Sequence, residues 1–222
     1  MDELALIFVR APVPGRVKTR LAARLGDRAA AELYAAFGRD LVSHLEQAGI
    51  PFVLCFTPPE GRRAVEAWLP GRTLWPQQGR DLGQRMENAF SRSFAAGAKR
   101  VVLAGSDLPD LPSSIIREGL DALAAKKAVL GPAEDGGYYA VGFSRDMFVP
   151  AVFSGPRWGT DRVLSQTLGL LKNGGASVHL LPPWNDVDTP GDLEALAGRL
   201  AKNPKTAPET AACLARLQQE AR

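Results

Sequence analysis

The feature of this sequence that most constrains its fold is the alternation of short apolar runs with longer amphipathic segments. Within residues 27–48, Phe37, Leu41 and Leu45 recur every four residues, which predicts a helix with one buried face. The short runs between such segments are typical of strands. The predicted strands are residues 4–9, 52–56, 101–104, 128–130, 138–143 and 178–181. Strands alternating with helices predict an α/β fold: a Rossmann-like three-layer α/β/α sandwich around a mostly parallel sheet.

One connection between predicted strands is too short for a crossover helix. Residues 128–130 and 138–143 are joined by a segment with an Asp-Gly-Gly turn at 135–137. Short connections join antiparallel neighbours, so we expect one antiparallel pair within the sheet. We expect residues 1–202 to form the α/β domain and residues 203–222, which begin with a proline-containing linker, to form a helical extension.

Charge, cysteine content and hydropathy argue against several functional classes. The formal net charge of the 222 residues is only +3, which does not suggest a nucleic-acid partner. The two cysteines, Cys55 and Cys213, are too few and too far apart for a disulfide framework or a zinc motif. No apolar stretch approaches the ~18 residues of a membrane span. We therefore expect a cytoplasmic protein without a membrane or nucleic-acid partner.

Several well-known catalytic motifs are missing. The first strand is not followed by GxGxxG, residues 15–19 lack the spacing of a Walker A loop, and neither HExxH nor GxSxG occurs. His44 and His179 lie in a predicted helix and a predicted strand, where a structural role is the better interpretation. The sequence therefore predicts neither a dinucleotide-binding protein nor a histidine-dependent hydrolase.

Positive charge is concentrated in the loop after the first strand. Residues 10–28 contain six basic residues and one acidic residue. Residues 11–21 leave the carboxyl end of the strand, where α/β folds bind ligands, and enter a helix, whose N-terminus attracts anions. The side chains expected to bind phosphate are Arg16, Lys18 and Arg20. For Arg24 and Arg28, a solvated helix face is the better interpretation.

Carboxylates follow two other predicted strands. Asp107 is either a ligand-facing acid or a turn cap, although Asp110 is the better candidate to cap the next helix. Asp188, in the Asp-Val-Asp segment 186–188, is either a second acid of the same site or part of the helix cap that begins at Thr189. As a pair, Asp107 and Asp188 suit Mg²⁺ bridging to phosphates. We expect the two carboxylates to repel each other until a cation binds.

The Asp-Gly-Gly turn has two interpretations of about equal weight. Gly136 and Gly137 allow a ligand to approach the backbone closely, and Asp135 can bind sugar hydroxyls. Asp-Gly is equally a common signal for a hairpin turn.

Several motifs occur together in a recognisable order. They are residues 11–21 (APVPGRVKTRL), 81–86 (DLGQRM), 105–109 (GSDLP), 131–139 (GPAEDGGYY), 158–160 (WGT) and 186–190 (DVDTP). The chain resembles the transferase family associated with radical-SAM and selenodomain proteins, which includes arsenosugar-biosynthesis glycosyltransferases. That family belongs to the nucleotide-diphospho-sugar transferase superfamily with the GT-A fold. The longer LxGGxGxRM loop of sugar nucleotidyltransferases is absent, and the short loop at 17–21 is closer to that of phospholactate guanylyltransferases.

The resemblance implies a nucleotide-binding enzyme that uses Mg²⁺ or Mn²⁺. It places Asp107 and Asp188 as metal ligands, and Asp107, Asp135 and Lys18 as the catalytic residues. The residues it implies for nucleotide or phosphate binding are Pro14, Gly15, Arg16, Lys18, Arg20 and Arg85. The residues it implies for the acceptor or the sugar are Asp135, Gly136, Gly137 and Tyr138.

Three functions follow from the sequence. The first is a metal-dependent glycosyltransferase that uses a nucleotide sugar and a small-molecule acceptor. The second is a nucleotidyltransferase that uses an NTP and releases pyrophosphate. The third is a nucleotide-binding module without catalysis.

Overall fold

The computed structural model describes residues 2–125 and 128–220. Its strands form a single seven-stranded sheet in the order β3-β2-β1-β4-β6-β5-β7. Strand β6 is antiparallel to both of its neighbours, β4 and β5, and the other pairs are parallel. The strands are β1 (Glu3–Arg10), β2 (Phe52–Thr57), β3 (Leu74–Pro76), β4 (Arg100–Gly105), β5 (Ala128–Pro132), β6 (Tyr138–Ser144) and β7 (Val178–Leu180).

Helices connect the strands and cover both faces of the sheet. They are α1 (Thr19–Leu25), α2 (Asp27–Gln47), α3 (Arg62–Trp68), α4 (Leu82–Ala95), α5 (Ser113–Ala122), α6 (Ala151–Ser154), α7 (Val163–Asn173), α8 (Pro190–Lys202) and α9 (Pro208–Glu220). Short 3₁₀ turns lie at Pro59–Gly61, Arg145–Met147 and Pro204–Thr206. In the described ranges, no helix has both the length and the apolar character needed to cross a bilayer.

The predicted α/β/α sandwich with a mostly parallel sheet is confirmed, and so is the antiparallel pair β5–β6. The prediction missed β3, which has only three residues, Leu74–Pro76. Such a short segment shows no periodicity along the chain, and it becomes a strand only by pairing with β2. It also missed that β6 inserts between β4 and β5, because strand order across a sheet leaves no mark in local sequence.

Strand β1 shows how the sheet divides the core. Leu4 and Leu6 pack with α4, α6 and α7, whereas Ala5 and Ile7 pack with α2, α3 and α5 on the other face. Successive side chains of a strand point to opposite faces, so a strand buried on both faces must be apolar at every position. This requirement explains the continuous apolar run near the N-terminus.

The last helix packs against the long helix α2. Its residue Cys213 belongs to a third apolar cluster with Phe37. The buried Asp40 of α2 accepts hydrogen bonds from the backbone N–H groups of Glu209 (3.0 Å) and Thr210 (2.8 Å), at the start of α9. Asp40 thus satisfies N–H groups that a helix N-terminus leaves without partners. The division between residues 1–202 and 203–222 remains a prediction.

We expect Asp40→Ala to lower the free energy of unfolding by about 2 kcal/mol, since it leaves two N–H groups at a partly buried helix start without acceptors. Asp40→Asn keeps one acceptor oxygen and should cost less. Chemical denaturation measures both variants, with Asp121→Ala on the exposed face of α5 as the control. An Asp40→Ala variant as stable as this control would contradict the capping role.

Candidate active site

Three chain segments meet at the carboxyl ends of the central strands. Strands β1 and β4 are parallel neighbours, with Phe8 opposite Gly105, so the loops that follow them begin side by side. The third segment precedes α8 and is held by a backbone hydrogen bond of 3.0 Å from Val187 N to Asp107 O. Val187 is itself buried. The fold therefore brings together Lys18, Asp107 and Asp188, which are far apart in the sequence.

The N-terminus of α8 fixes the backbone beside Asp188. Thr189 and Asp192 form a reciprocal capping box, and Pro190 occupies the first turn, as the sequence predicts. The Asp192 carboxylate accepts hydrogen bonds from the backbone N–H groups of Asp188 (3.0 Å) and Thr189 (2.7 Å). Thr189 and Asp192 cap the helix together, which leaves the carboxylate of Asp188 free for another partner.

That partner is the ammonium group of Lys18. Its Nζ lies 2.6 Å from Asp107 Oδ1 and 2.6 Å from Asp188 Oδ1. The Lys18 side chain is only 3% exposed, and Nζ lies about 6 Å from the ring centroids of Tyr34 and Phe37. One enclosed cation is thus shared by two carboxylates.

The backbone of Lys18 is strained. Its φ of 48° and ψ of 43° make it the one non-glycine residue with positive φ in the part of the chain that the structure describes. A side chain in the left-handed region costs about 1–3 kcal/mol, and such residues cluster at functional sites. The ion pairs with Asp107 and Asp188 compensate this cost.

The charges in the cluster shift one another's pKa values. Burial alone would lower the pKa of Lys18, but the carboxylates of Asp107 and Asp188 raise it above its ordinary value. Burial raises the pKa of Asp107, and the ammonium of Lys18 opposes that effect. The expectation that Asp107 and Asp188 repel each other without compensation until a cation binds is therefore wrong. Lys18 supplies the compensating charge within the chain itself.

A third carboxylate, that of Asp186, belongs to the same electrostatic environment. Burial raises its pKa to about 6, and the negative charges of Asp188 and Asp107 contribute in the same direction. Even so, the described residues contain no group of three His, Cys, Asp or Glu side chains arranged to hold a metal ion. A cation at this site would rely on Asp107 and Asp188, with its remaining ligands supplied by substrate or water.

The donor set fits such a cation. Asp107 and Asp188 both direct an Oδ1 atom at one point, now taken by the ammonium of Lys18. Asp107 Oδ1 is buried and lies 2.6 Å from the ammonium of Lys18. Two carboxylates complemented by phosphate oxygens are a normal environment for Mg²⁺. A divalent cation bound at this point between the two Oδ1 atoms would displace the ammonium of Lys18 from it.

On one side of this cluster lies the basic cavity, of about 350 Å³, which is bounded by the ends of β1 and β2 and the start of α4. Its wall brings together three of the residues predicted to bind phosphate: Arg16, Lys18 and Arg85. Pro14 and Gly15 are exposed and belong to the wall of neither this cavity nor the next one. The basic cavity has the charge needed for a polyphosphate.

On the other side lies the apolar cavity, of about 440 Å³, between α4, β6 and the loop after α6. Arg20 lines this cavity and not the basic one, so the structure separates it from Lys18. Phe8, Leu82 and Asp107 line both cavities. Asp107 therefore stands at the junction, accessible from either side.

The Asp-Gly-Gly segment is a tight turn between β5 and β6, as the hairpin interpretation predicts. Asp135 Oδ1 accepts a hydrogen bond of 2.8 Å from Gly137 N, and both residues line the apolar cavity with Tyr138. Gly136 has a φ of 82°, and a Cβ atom there would lie 2.1 Å from the carbonyl oxygen of Asp161. What approaches Gly136 closely is therefore another loop of the protein.

The capping role predicted for Asp110 is wrong, and Trp158 belongs to the site although its motif gave no role for it. Asp110 caps no helix, since α5 begins at Ser113 without a side-chain cap. Its buried carboxylate instead accepts a 2.6 Å hydrogen bond from Arg199 Nε and ties the loop after β4 to α8. Trp158, the first residue of the motif WGT, lines the apolar cavity. Neither contact has a local sequence signal, because each joins distant segments.

Solved structures share this fold. A protein from Desulfovibrio desulfuricans G20, crystallised as a "putative nucleotide-diphospho-sugar transferase", is 38% identical, with a TM-score of 0.93 over 99% of this chain and 98% of that one. CMP:2-keto-3-deoxy-manno-octonic acid synthetase in complex with CTP is 14% identical, with a TM-score of 0.59 over 91% and 99% of the two chains. A Mycobacterium tuberculosis H37Rv protein in complex with manganese is 20% identical, with a TM-score of 0.54 over 88% and 97%.

The family comparison covers the centre of the chain. The model of a family described as "Uncharacterized protein conserved in bacteria (DUF2064)" matches residues 41–160, more than half of the sequence. This segment includes β4, Asp107 in the loop after it, and the turn at Asp135. Together with the 38% identity to the Desulfovibrio protein over almost the whole chain, the match shows that this protein belongs to the DUF2064 family, within the nucleotide-diphospho-sugar transferase superfamily.

Proposed function

We propose that this protein is a transferase that takes a nucleotide substrate in the basic cavity and a second small molecule in the apolar cavity. The observation that carries the proposal is the position of Asp107, which lines both cavities and lies 2.6 Å from the ammonium of Lys18 in the wall of the basic cavity. Reacting groups held on either side of such a junction are kept close together and oriented. The description of the Desulfovibrio protein and the CTP bound to the synthetase support a nucleotide substrate.

Within this class we propose a glycosyltransferase that uses a nucleotide-diphospho-sugar. A divalent cation, Mg²⁺ or Mn²⁺, held by Asp107 and Asp188, would supply positive charge against the diphosphate. Lys18, Arg16 and Arg85 bind and orient the phosphates, and Asp135 orients the acceptor from the opposite cavity. The manganese bound to the Mycobacterium protein supports the choice of cation. We also propose that the protein acts in the cytoplasm and belongs to the radical-SAM-associated branch of the superfamily.

The alternative, a nucleotidyltransferase, uses the same residues with an NTP. Its support is the short loop at 17–21 and the fold shared with cytidylyltransferases. The two reactions differ in the bond that breaks: the bond from the sugar to the diphosphate in the first, and the bond between the α- and β-phosphates in the second. Lys18 serves either reaction as a positive charge beside the phosphates.

A thermal-shift panel separates these possibilities. We expect UDP-, GDP-, dTDP- or ADP-sugars with Mn²⁺ to raise the melting temperature more than free NTPs do, because a ligand stabilises the state that binds it. A larger shift with NTPs would favour the nucleotidyltransferase. Binding without turnover in the presence of candidate acceptors would favour a non-catalytic module, and no shift with any nucleotide would overturn the proposed function.

Asp107→Asn should keep the fold and abolish the Mn²⁺-dependent part of nucleotide binding. The substitution retains the shape of the side chain and removes the charge that a divalent cation requires. Calorimetric titration of Mn²⁺ and nucleotide measures the effect, and Asp121→Asn on the exposed face of α5 is the matched control. If the Asp107→Asn variant bound Mn²⁺ and nucleotide with wild-type affinity, Asp107 would have only a structural role in the loop after β4.

Lys18→Met should make the cation-free protein less stable and its Mn²⁺ affinity higher. Removing the ammonium leaves Asp107 and Asp188 without a compensating charge, at a cost of about 2 kcal/mol, because Asp188 is 47% exposed and partly solvated. The same change removes the group that competes with Mn²⁺ for the two carboxylates.

Denaturation with and without Mn²⁺, together with Mn²⁺ titration, measures both effects. Lys99→Met is the control, since Lys99 forms an ion pair with Asp2 in which both side chains are largely exposed, and such pairs contribute little. A Lys18→Met variant with unchanged stability and unchanged Mn²⁺ affinity would contradict the shared-cation interpretation.

A further inference from the structure

The apolar cavity indicates the chemical class of the second substrate. We propose that this substrate has an apolar body the size of one ring, carries no anionic group, and directs hydrogen-bond donors at the carboxylates of the cavity. The inference rests on the proposed function and deepens it, because it specifies which small molecule the transferase uses beside the nucleotide.

The walls of the cavity are mainly apolar. Apolar and aromatic side chains from α4, β4, β6, α7 and the loop before α7 surround most of its space. They include Met86, Leu103, Tyr138, Val141, Trp158 and Val163. A volume of about 440 Å³ lies in the range of small-molecule sites, which are mainly apolar with a few placed polar groups. The apolar part of the wall offers no hydrogen bonds, so a ligand with polar groups on every side would lose water there that the wall does not replace.

The position of Trp158 is fixed by packing. A Cβ atom on Gly83 would lie 2.8 Å from Trp158 Nε1 and 2.0 Å from the carbonyl oxygen of Phe153, so only glycine at this position lets the loop lie against α4. The Trp158 ring meets Tyr138 edge to face, with centroids 6.1 Å apart and planes at 82°. Trp158 and Tyr138 therefore add a packed pair of aromatic side chains to the wall, against which an apolar ring can pack.

The charged side chains of the lining are mainly acidic. Among the described residues, four aspartates line the cavity, and the one basic residue in its lining is Arg20. The aspartates are Asp107, Asp135, Asp161 and Asp186. Lys18 and a bound cation would offset the negative charge of Asp107 and Asp188. Asp135 and Asp161, in contrast, form no ion pair within the described chain. A phosphate or carboxylate on the ligand would face these acids, whereas hydroxyl or amine groups would donate to them.

A neighbouring recess contains two arginines that could bind an anionic group. Arg157 and Arg162 are exposed beside Gln166, on a surface that shares both Thr160 and Asp161 with the apolar cavity. The two arginines do not belong to the wall of the apolar cavity. If the ligand extended an anionic group into this recess, the two arginines would bind it. The test must therefore separate a neutral ligand from an anionic one.

A set of matched probes makes this separation. Tyrosol, tyramine and 4-hydroxyphenylacetate share one phenol ring and differ in charge, and methyl α-glucoside provides a ring of similar size without an apolar body. Ligand-observed NMR titration of the nucleotide-free protein gives the relative affinities. We expect tyrosol and tyramine to bind about tenfold more tightly than 4-hydroxyphenylacetate and methyl α-glucoside.

Variants assign the binding to the cavity. Trp158→Ala should weaken tyrosol binding about fivefold or more. Asp161→Asn, at an exposed position that leaves folding intact, should narrow the difference between tyrosol and 4-hydroxyphenylacetate. Asp121→Asn removes a charge far from the cavity and serves as the control. It should change neither the tyrosol affinity nor its difference from the 4-hydroxyphenylacetate affinity.

Other outcomes overturn the inference. Equal or tighter binding of 4-hydroxyphenylacetate, lost in Arg157→Ala or Arg162→Ala, would show that the second substrate is anionic. Tighter binding of methyl α-glucoside, or no binding by any of the aromatic probes, would show that the cavity does not select an apolar body. Because the panel contains no nucleotide, these results are independent of the nucleotide thermal shifts that test the proposed function.

Discussion

The structure of this site depends on one buried cation shared by two carboxylates. Lys18 Nζ lies 2.6 Å from an oxygen of Asp107 and 2.6 Å from an oxygen of Asp188, and it joins the loop after β1 to the loop after β4 and to the start of α8. Removing charges from water is costly, and mutual attraction repays the cost only in good geometry. The backbone of Lys18 is accordingly held in a conformation that lysine rarely adopts, with φ at 48°.

The surrounding elements are arranged so that this contact forms. The backbone hydrogen bond from Val187 N to Asp107 O aligns the segment carrying Asp188 beside the loop after β4. The ion pair between Asp110 and Arg199 fastens the same loop to the body of α8. Because each of these contacts links the loop after β4 to the last part of the α/β sandwich, the separation of the two carboxylates is set by the framework and not by the loops alone.

The shared cation also connects the two cavities. Asp107 lines both the basic and the apolar cavity, so a change in its charge alters the electrostatic potential in both cavities. In the proposed transferase, Lys18 and a divalent cation cannot both occupy the point between Asp107 and Asp188. Binding of the cation would free the ammonium for the phosphates, and this couples the occupancy of the carboxylate pair to that of the basic cavity.

The sequence by itself determined the fold class and the main candidate residues of the site. Apolar runs and helical spacing are local properties, so they predicted a mostly parallel sheet and the capping box at Thr189. Only the tertiary structure decided how the candidates combine: Lys18 between the two carboxylates, Arg20 on the wall of the other cavity, and Asp110 in an ion pair with α8. Propensity and periodicity act over a few residues along the chain. These partners are between about 90 and 170 residues apart, and packing of the whole sheet decides which of them meet.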